Sequence, residues 1–299
     1  MPDLVSVIVP FFSKCYFDLD IPIKSVLEQS YKDIEIIIID DRSPVSAVKC
    51  INRYKNDERV KILKNTSNLG GGISRNVGIK ESKGKYIAFL DHDDKWYPDK
   101  IMKQLMFFKS LNVENQDENV VVYSKCRVID DEIDYIVPKR GILKNEKVSD
   151  YIFHSLGLIQ TSGIFLEKSL ALKAPFHDLK RHQDYQLCFS LEEIGSHFYI
   201  LDEPLYDFIQ IPKKNDYVFS QKWFELYERY FTKRSKVGFK KIIMLRSFIA
   251  HQDYIKGFKY AVNNKVFYAY LKYNASFLIK KYLPKRIIHF LQTTIRKRR

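Results

Sequence analysis

One short run of residues constrains the fold of this chain more than any other. Residues 34–39 read Ile-Glu-Ile-Ile-Ile-Ile and are followed at once by two aspartates. Such a strand is typical of a sheet covered on both faces, because only a strand with a wet face needs alternating polar residues. Similar apolar runs alternate with helical patterns along the chain: strands at 5–10, 60–63 and 86–90, and helices at 21–29, 72–81 and from Pro98 to about 111. This alternation predicts an α/β fold with a mostly parallel central sheet and flanking helices.

The rest of the chain is less regular. We expect strands at 120–124, 126–129, 162–166 and 198–201, and helices at 149–156 and 183–193. A turn at 202–204 is expected to end the last of these strands. Beyond residue 220 the pattern is helical and rich in Phe, Tyr and Lys. The sequence therefore predicts one domain over 1–220, with halves of about 1–110 and 111–220, and a helical basic C-terminal region over 221–299.

The charge is concentrated in that C-terminal region. Residues 221–299 hold 20 Lys and Arg against 3 Asp and Glu, whereas residues 1–220 hold 30 against 33. After Pro284 an apolar helical face is flanked by Lys and Arg; it consists of Ile287, Ile288, Leu291 and Ile295. A basic amphipathic helix fits an anionic membrane surface, and the alternative is a helix packed on the body of the protein. No recognised nucleic-acid-binding module is present, so we expect no nucleic-acid partner.

Composition excludes several other classes. At 45% hydrophobic residues the chain has ample material for a core, which excludes general disorder. It contains no run of 18 apolar residues, and no basic segment precedes its first apolar run, so neither a spanning helix nor a signal peptide is expected. The four cysteines are widely spaced without a CxxC pair, which is typical of reduced thiols. We expect a cytoplasmic protein, peripheral at the inner face of the cell membrane.

Three carboxylates are crowded at the end of the strand at 86–90. Asp91, Asp93 and Asp94 surround His92, and a divalent cation would relieve their mutual repulsion. Carboxylate oxygens suit Mg²⁺ or Mn²⁺. The alternative is a solvated acidic turn without a metal.

Two further segments carry polar groups where ligands bind in such sheets. Asp40 and Asp41 end the strand at 34–39, and carboxylates there can accept hydrogen bonds from a base or a ribose. The alternative is a capped turn. Three glycines at 70–72 precede a helix that carries Arg75, an arrangement that suits an anion such as a phosphate. The alternative for this segment is a flexible loop.

Taken together, these segments resemble the family-2 glycosyltransferases in order and spacing. The resemblance lies in VSVIVPFF, SVLEQSY, EIIIIDDRS, NLGGGISRNVGI and GKYIAFLDHDD, and it covers residues 4–110. It implies a Rossmann-like nucleotide-sugar-binding fold and transfer of a sugar with inversion of its anomeric centre. One position departs from the family pattern, because Arg42 stands where a glycine is commoner.

The resemblance implies donor-binding roles for five residues of this half. Pro10 and Phe12 would flank the nucleotide base, Phe12 by stacking on it. Asp41 would bind the edge of the base with Asp40 in support, and Arg75 would hold the diphosphate side of the donor.

It also implies the metal site and the base. Asp93 would ligate the metal, and Asp91 would bind the ribose or a metal-bound water, so that Asp91 counts both as a donor contact and as part of the metal site. Gln183-Asp184 stands where the family has an acidic pair, and Asp184 would be the catalytic base. The alternative for Asp184 is a helix cap or an ion pair with Arg181. The segment 160–162 resembles the one that lines the acceptor side.

The sequence therefore predicts a metal-dependent inverting glycosyltransferase using Mn²⁺ or Mg²⁺. Its donor would be a nucleotide diphosphate sugar, specifically a UDP-sugar, and its acceptor a hydroxyl of a glycan or lipid-linked glycan. The basic region would bring it to an anionic membrane, as in bacterial surface-polysaccharide assembly. Two alternatives are a sugar nucleotidyltransferase, whose usual glycine-rich N-terminal loop is missing here, and a non-catalytic membrane-associated binding module.

Overall fold

The computed structural model describes residues 3–16, 19–51, 53–115, 119–129, 134–209 and 216–282. The chain forms two compact units. The first consists of Met1–Val128, Ile136–Lys144 and Gly157–Ile209, and the second of Ile129–Tyr135, Asn145–Leu156 and Gln210–Arg299. Each unit has its own core and is described separately below.

Nine strands and eleven α-helices occur within the described residues. The strands are β1 Val5–Phe11, β2 Ile34–Asp40, β3 Val60–Lys64, β4 Tyr86–Phe89, β5 Lys95–Trp96, β6 Val120–Ile129, β7 Asp134–Val137, β8 Phe165–Glu167 and β9 His197–Ile209. The helices are α1 Asp20–Leu27, α2 Ala47–Cys50, α3 Gly70–Glu81, α4 Lys100–Asn115, α5 Lys168–Lys173, α6 Gln183–Glu193, α7 Tyr217–Tyr227, α8 Lys233–Phe239, α9 Arg246–Ala250, α10 Tyr254–Asn263 and α11 Phe267–Tyr282.

The sheet has a parallel half and an antiparallel half. Its order is β3-β2-β1-β4-β8-β6-β9-β5, and β7 pairs with β6. Strands β3, β2, β1 and β4 are mutually parallel, whereas β8 is antiparallel to both β4 and β6, and β5 is antiparallel to β9. The carboxyl ends of the four parallel strands therefore lie along one edge, where ligands bind in open α/β sheets.

The apolar run of β2 explains why this strand lies inside the sheet, between β3 and β1. Its residues are buried apart from Glu35, as expected of a strand with neighbours on both sides and helices on both faces. The carboxylate of Glu35 is also satisfied, because it accepts hydrogen bonds from Ser6 Oγ at 2.5 Å and from Lys83 N–H at 2.6 Å. The only polar side chain in the run before Asp40 therefore has hydrogen-bond partners.

Helix α3 approaches the parallel strands closely because of one glycine. A Cβ on Gly78 would lie 2.5 Å from Cγ2 of Ile8 and 2.8 Å from Cδ1 of Ile39. Only glycine allows this contact, and the contact sets the height of α3 above β1 and β2. It thereby fixes where Arg75, one turn earlier on the helix, meets the edge of the sheet.

The predicted α/β class, with a mostly parallel sheet, flanking helices and a helical C-terminal region, is confirmed. Four local predictions were wrong. The strand expected at 162–166 begins only at Phe165, because residues 161–163 form a 3-10 turn that the Gln160 side chain caps. The strands expected at 120–124 and 126–129 are one strand, β6, and the helix expected at 149–156 is a single π-helical turn, Asp150–His154. The turn expected at 202–204 is absent, since β9 continues to Ile209. Its end is held by pairing with β5 and by the N–H of Tyr97 donating to the carbonyl of Leu205, so Pro204 does not interrupt it.

The second unit is helical and has an aromatic core. Five rings stack on or meet one another edge to face at centroid distances of 5.0 to 6.1 Å; they belong to Phe153, Trp223, Phe224, Phe231 and Phe239. A second cluster is formed by residues of helices α9, α10 and α11 and by the residues just before α9 and α11; it consists of Leu245, Ile249, Ala261, Val266 and Tyr270. The amphipathic helix expected after Pro284 lies outside the described residues. None of the helices described here is both long and apolar enough to span a membrane.

Candidate active site

Asp40 organises the turn that follows β2. Its two oxygens accept backbone hydrogen bonds from Ser43 N–H and Ala47 N–H, each at 2.8 Å. The turn passes through Arg42 with φ of +57°, in the left-handed region that side chains other than glycine rarely adopt. Glycine, which is commoner at that position of the family pattern, adopts this conformation without strain.

Asp41 caps the N-terminus of helix α3. Its Oδ1 accepts hydrogen bonds from Leu69 N–H and from Asn65 Nδ2, and its Oδ2 accepts one from Gly70 N–H, all at 2.8 Å. A carboxylate is favoured there by the unpaired N–H groups and by the helix dipole. The anion bound at the start of α3 is thus a side chain of the protein itself. Both aspartates have the capping role that the sequence left open, and their donor contacts stay a prediction.

We expect the substitution Asp41→Ala to lower the free energy of unfolding by about 2 kcal/mol, because it removes the acceptor of two partly buried N–H groups and leaves the Asn65 amide with Ser74 Oγ only. Urea denaturation followed by circular dichroism measures this. Asp41→Asn is the matched control: it keeps one carbonyl oxygen for Leu69 and should cost less. Wild-type stability of Asp41→Ala would contradict the capping role.

Arg75 connects the two halves of the first unit. The side chain is only 6% exposed. One Nη donates to Gln183 Oε1 at 2.7 Å, and the other forms an ion pair with Asp91. The guanidinium also lies 5.3 Å from the centre of the Phe176 ring. Among the described atoms its Nε has no hydrogen-bond partner, which is unusual for a buried donor.

The acidic residues after β4 form a compact cluster. Ligand atoms of Asp91, Asp93 and Asp94 all lie within 4.8 Å of one another. Asp91 is fixed from the side of β8: its Oδ2 accepts from Gln160 Nε2 at 2.9 Å, and Thr161 Oγ1 is 3.2 Å away. The segment 160–162 therefore contacts the acidic cluster. Whether it also lines the acceptor side stays a prediction.

Asp94 is the buried member of the cluster. It is 1% exposed, and its two oxygens accept from Ser162 Oγ at 2.6 Å and from Ile209 N–H at 3.1 Å. Burial, together with the neighbouring charge of Asp91, raises the pKa of Asp94 well above its ordinary value. Asp91 and Asp93 are only partly buried, so they are better candidates than Asp94 to hold a cation.

This set of groups fits a hard divalent cation. It offers only carboxylate oxygens, which Mg²⁺ and Mn²⁺ prefer, and it offers them in a crowded arrangement that positive charge would stabilise. Burial is the larger cause of the raised pKa of Asp94, and the charge of Asp91 adds to it. Arg75 already compensates one charge, through Asp91.

Asp184 lies in the first turn of α6. The N–H of Tyr185 donates to its Oδ1 at 3.0 Å. Burial raises the pKa of Asp184 to about 6, and the charge of Asp91 adds to this while Arg75 opposes it. Because Gln183 begins the same turn and binds Arg75, the path Asp91–Arg75–Gln183 joins the acidic cluster to the turn that carries Asp184. A carboxylate with a pKa near 6 is suited to general-base chemistry at neutral pH.

The residue before α6 is held in an uncommon conformation. His182 has φ of +61°, and its ring stacks on Tyr185 with centroids 5.4 Å apart. Burial, with a contribution from the charge of Arg181, lowers the pKa of His182 to about 3. The imidazole is therefore neutral at physiological pH.

The residues predicted to flank the base lie on and after β1. Pro10 is buried in the strand opposite Ile39 of β2, whereas Phe12 follows the strand and is 38% exposed. The ring of His92 meets Phe11 edge to face at 5.5 Å. Phe12 thus has an accessible ring at the edge where the parallel strands end.

The sequence drew attention to Gln160 and Gln183, but it could not identify their partners or the burial of Lys100. Gln160 is 69 positions from Asp91, and Gln183 is 108 positions from Arg75. Lys100 is wholly buried with its Nζ 3.9 Å from the centre of the Trp96 ring, and burial lowers its pKa well below the ordinary value. A lysine in the first turn after Pro98 gives no sign of this.

Comparison with known proteins agrees with this geometry. The sequence model described as "Glycosyl transferase family 2" matches residues 6–169. The amylovoran biosynthesis glycosyltransferase AmsB of Erwinia amylovora is 30% identical over 225 residues, which are 71% of this chain and 74% of AmsB. The UDP-Glc:alpha-D-GlcNAc-diphosphoundecaprenol beta-1,3-glucosyltransferase WfaP of Escherichia coli is 40% identical over 111 residues, 37% of this chain and 43% of WfaP.

A solved structure shares the fold. The S. aureus TarS 1–349 structure in complex with UDP-GlcNAc superimposes with a TM-score of 0.54 at 16% identity, covering 94% of this chain and 93% of that one. The likeness extends over nearly the whole of both chains. The parallel half-sheet with acidic groups at its carboxyl edge, the matching family model and the similarity to AmsB establish that this chain belongs to glycosyl transferase family 2 and is a glycosyltransferase.

Proposed function

We propose that the chain is a metal-dependent inverting glycosyltransferase of polysaccharide assembly that uses a UDP-sugar and acts on a lipid-linked glycan. The observation that carries this proposal is the path from the acidic cluster through Arg75 and Gln183 to the turn of Asp184. It supports the proposal because the carboxylates that we propose to hold a cation and the proposed base lie in the same unit of the protein. A donor with a charged diphosphate and an acceptor with a hydroxyl need these two groups.

The residues divide the reaction between them. Asp184 takes the proton of the acceptor hydroxyl. The oxygen of that hydroxyl forms a bond to the anomeric carbon, and the bond from the anomeric carbon to the diphosphate oxygen breaks. A divalent cation held by Asp93 and Asp91 would supply positive charge to the departing diphosphate. Arg75, which is paired with Asp91, adds its own charge there. Phe12 stacks on the nucleotide base.

The donor and acceptor classes are supported by relatives. The name of WfaP specifies UDP-Glc as donor and a diphosphoundecaprenol-linked sugar as acceptor, and the TarS structure holds UDP-GlcNAc. AmsB is named for biosynthesis of amylovoran. Residues 221–299 contain 20 Lys and Arg but only 3 Asp and Glu. A lipid-linked acceptor would bring this basic region to the anionic surface of a membrane, which attracts positive charge.

The proposal is tested by following both possible products. We expect the purified chain to release UDP from one or a few of a panel of UDP-sugars when Mn²⁺ is present. Addition of EDTA should stop this release of UDP. NMR of the transferred sugar should show an inverted anomeric centre. Formation of pyrophosphate from a sugar phosphate and UTP would instead identify a nucleotidyltransferase. Absence of turnover with every donor and acceptor would favour a binding module.

A further inference from the structure

Helix α10 exposes large apolar side chains and buries small ones. On α10 the inward residues are Gly257 and Ala261, whereas Ile255, Phe258 and Val262 are 74%, 47% and 50% exposed. These three positions follow an i, i+3, i+7 pattern, so they form one stripe along the helix. A surface helix of a soluble protein normally has the opposite arrangement. The exposed stripe is therefore not explained by the core of the second unit.

The stripe continues onto the next helix. Phe267 and Leu271 of α11 are 40% and 50% exposed, and Leu278 is 48% exposed two turns later. Phe258 meets Phe267 edge to face with ring centroids 5.6 Å apart, which joins the two stripes into one surface. We call this surface the α10–α11 face; it consists of Ile255, Phe258, Val262, Phe267, Leu271 and Leu278.

Close packing beneath the α10–α11 face holds its two helices in place. A Cβ on Gly257 would lie 3.0 Å from the ring of Tyr270 and 3.1 Å from Cβ of Phe248, so α10 sits as close to its neighbours as backbone allows. The hydroxyl of Tyr270 also donates to the carbonyl of Tyr254 at 2.9 Å. The two helices thus present the apolar residues as a fixed surface.

The surroundings of the face are cationic. Lys259, Lys265 and Lys272 are exposed on or between the two helices. After Asp253 the sequence contains no Asp or Glu at all. Tyr268, 81% exposed, adds an amphipathic ring of the kind that favours a membrane interface. Apolar residues beside lysines complement an anionic bilayer, whose surface attracts cations and whose interior accepts apolar side chains.

We infer that the α10–α11 face is a docking surface for an anionic lipid bilayer, with its apolar residues inserted below the headgroups and its lysines on the phosphates. This inference deepens the proposed function, since it names the surface that brings the enzyme to a lipid-linked acceptor. The α10–α11 face is separate from the basic residues 285–299. Its apolar residues should therefore still contribute to membrane binding when residues 285–299 are removed.

The test is co-sedimentation of the full chain with phosphatidylcholine vesicles that do or do not contain phosphatidylglycerol. We expect binding to the anionic vesicles, and at least tenfold weaker binding for Ile255→Ser/Val262→Ser, which removes two aliphatic groups that the core does not use. Lys259→Gln/Lys265→Gln should weaken binding by about tenfold or more and reduce its salt dependence. Deletion of 285–299 should weaken binding without abolishing it.

Matched controls are available in the same unit. Leu226→Ser removes an exposed leucine of α7, 70% exposed, and Lys222→Gln removes an exposed lysine of the same helix; both should bind like the wild type. All variants should keep the wild-type melting temperature and rate of UDP release without vesicles. Equal binding by Ile255→Ser/Val262→Ser and Leu226→Ser would overturn the inference, as would a wild-type dimer that this double variant converts to a monomer.

The outcomes separate this inference from the proposed function. Vesicle binding is measured without donor, and UDP release is measured without vesicles. Failure of the face to bind lipid leaves turnover with a soluble acceptor intact. Conversely, absence of turnover with every donor would remove the proposed function while the lipid-binding result stood on its own.

Discussion

Replacing Asp184 with asparagine is expected to lower the rate of sugar transfer by about 10²–10⁴-fold, because the amide keeps the shape of the side chain and loses its basicity. The affinity for the nucleotide sugar should stay within a few-fold of wild type. The measurement is kcat for transfer together with donor affinity by titration calorimetry. Collapse of donor affinity with an unchanged rate for bound donor would make Asp184 a donor contact instead.

The wild-type pH profile gives a second readout of the same residue. The base must be deprotonated to accept a proton, and burial raises the pKa of Asp184 to about 6. The value of kcat/KM should therefore be constant above about pH 7 and fall as the pH drops through 6. Asp178→Asn, which changes an exposed carboxylate of the loop before α6, is the matched control and should keep both the rate and the profile.

Asp93→Ala is expected to abolish transfer and the Mn²⁺-dependent part of donor binding while the fold survives. The ligand atoms of the three carboxylates lie within 4.8 Å of one another, so removal of one negative charge reduces their mutual repulsion and should not destabilise the fold. Thermal unfolding should give a melting temperature equal to or above that of the wild type. Donor binding with and without Mn²⁺, followed by calorimetry, reports the metal.

A control for Asp93→Ala lies six residues further on. Asp99→Ala removes an exposed carboxylate outside the cluster and should leave both Mn²⁺ dependence and transfer unchanged. Full activity of Asp93→Ala at limiting Mn²⁺ would disprove the assignment of Asp93 as a metal ligand. Unfolding of the variant would show instead that the residue is needed for the structure.

The parallel half of the sheet could be predicted from the sequence because its determinants are local. Strands β1, β2 and β4 are short apolar runs, and those of β2 and β4 are followed closely by aspartates. The same reasoning failed for β9, where Pro204 and its acidic neighbours read as a turn. Pairing with β5, whose Trp96 is about 110 residues away in the chain, extends that strand.

The site was less accessible to such reasoning because its contacts are distant in sequence. Asp40 and Asp41 were identified as important side chains, yet their bonds to Ala47, Leu69 and Gly70 depend on how the loops fold back. The partners of Asp94 lie 68 and 115 residues away. No spacing rule connects such positions, and only the assembled sheet brings them together.

The pairing of Arg75 with Gln183 has a consequence for engineering. Exchange of the second half of this unit between relatives is an obvious way to change the acceptor, with a junction near residue 110. Yet Gln183 belongs to the incoming half and Arg75 to the retained one, and β8 of the incoming half must also pair with the retained β4. A chimera that brings another residue to position 183 would deprive a buried guanidinium of a partner. The unit of exchange is therefore the transplanted segment together with the side chains that face it across the junction.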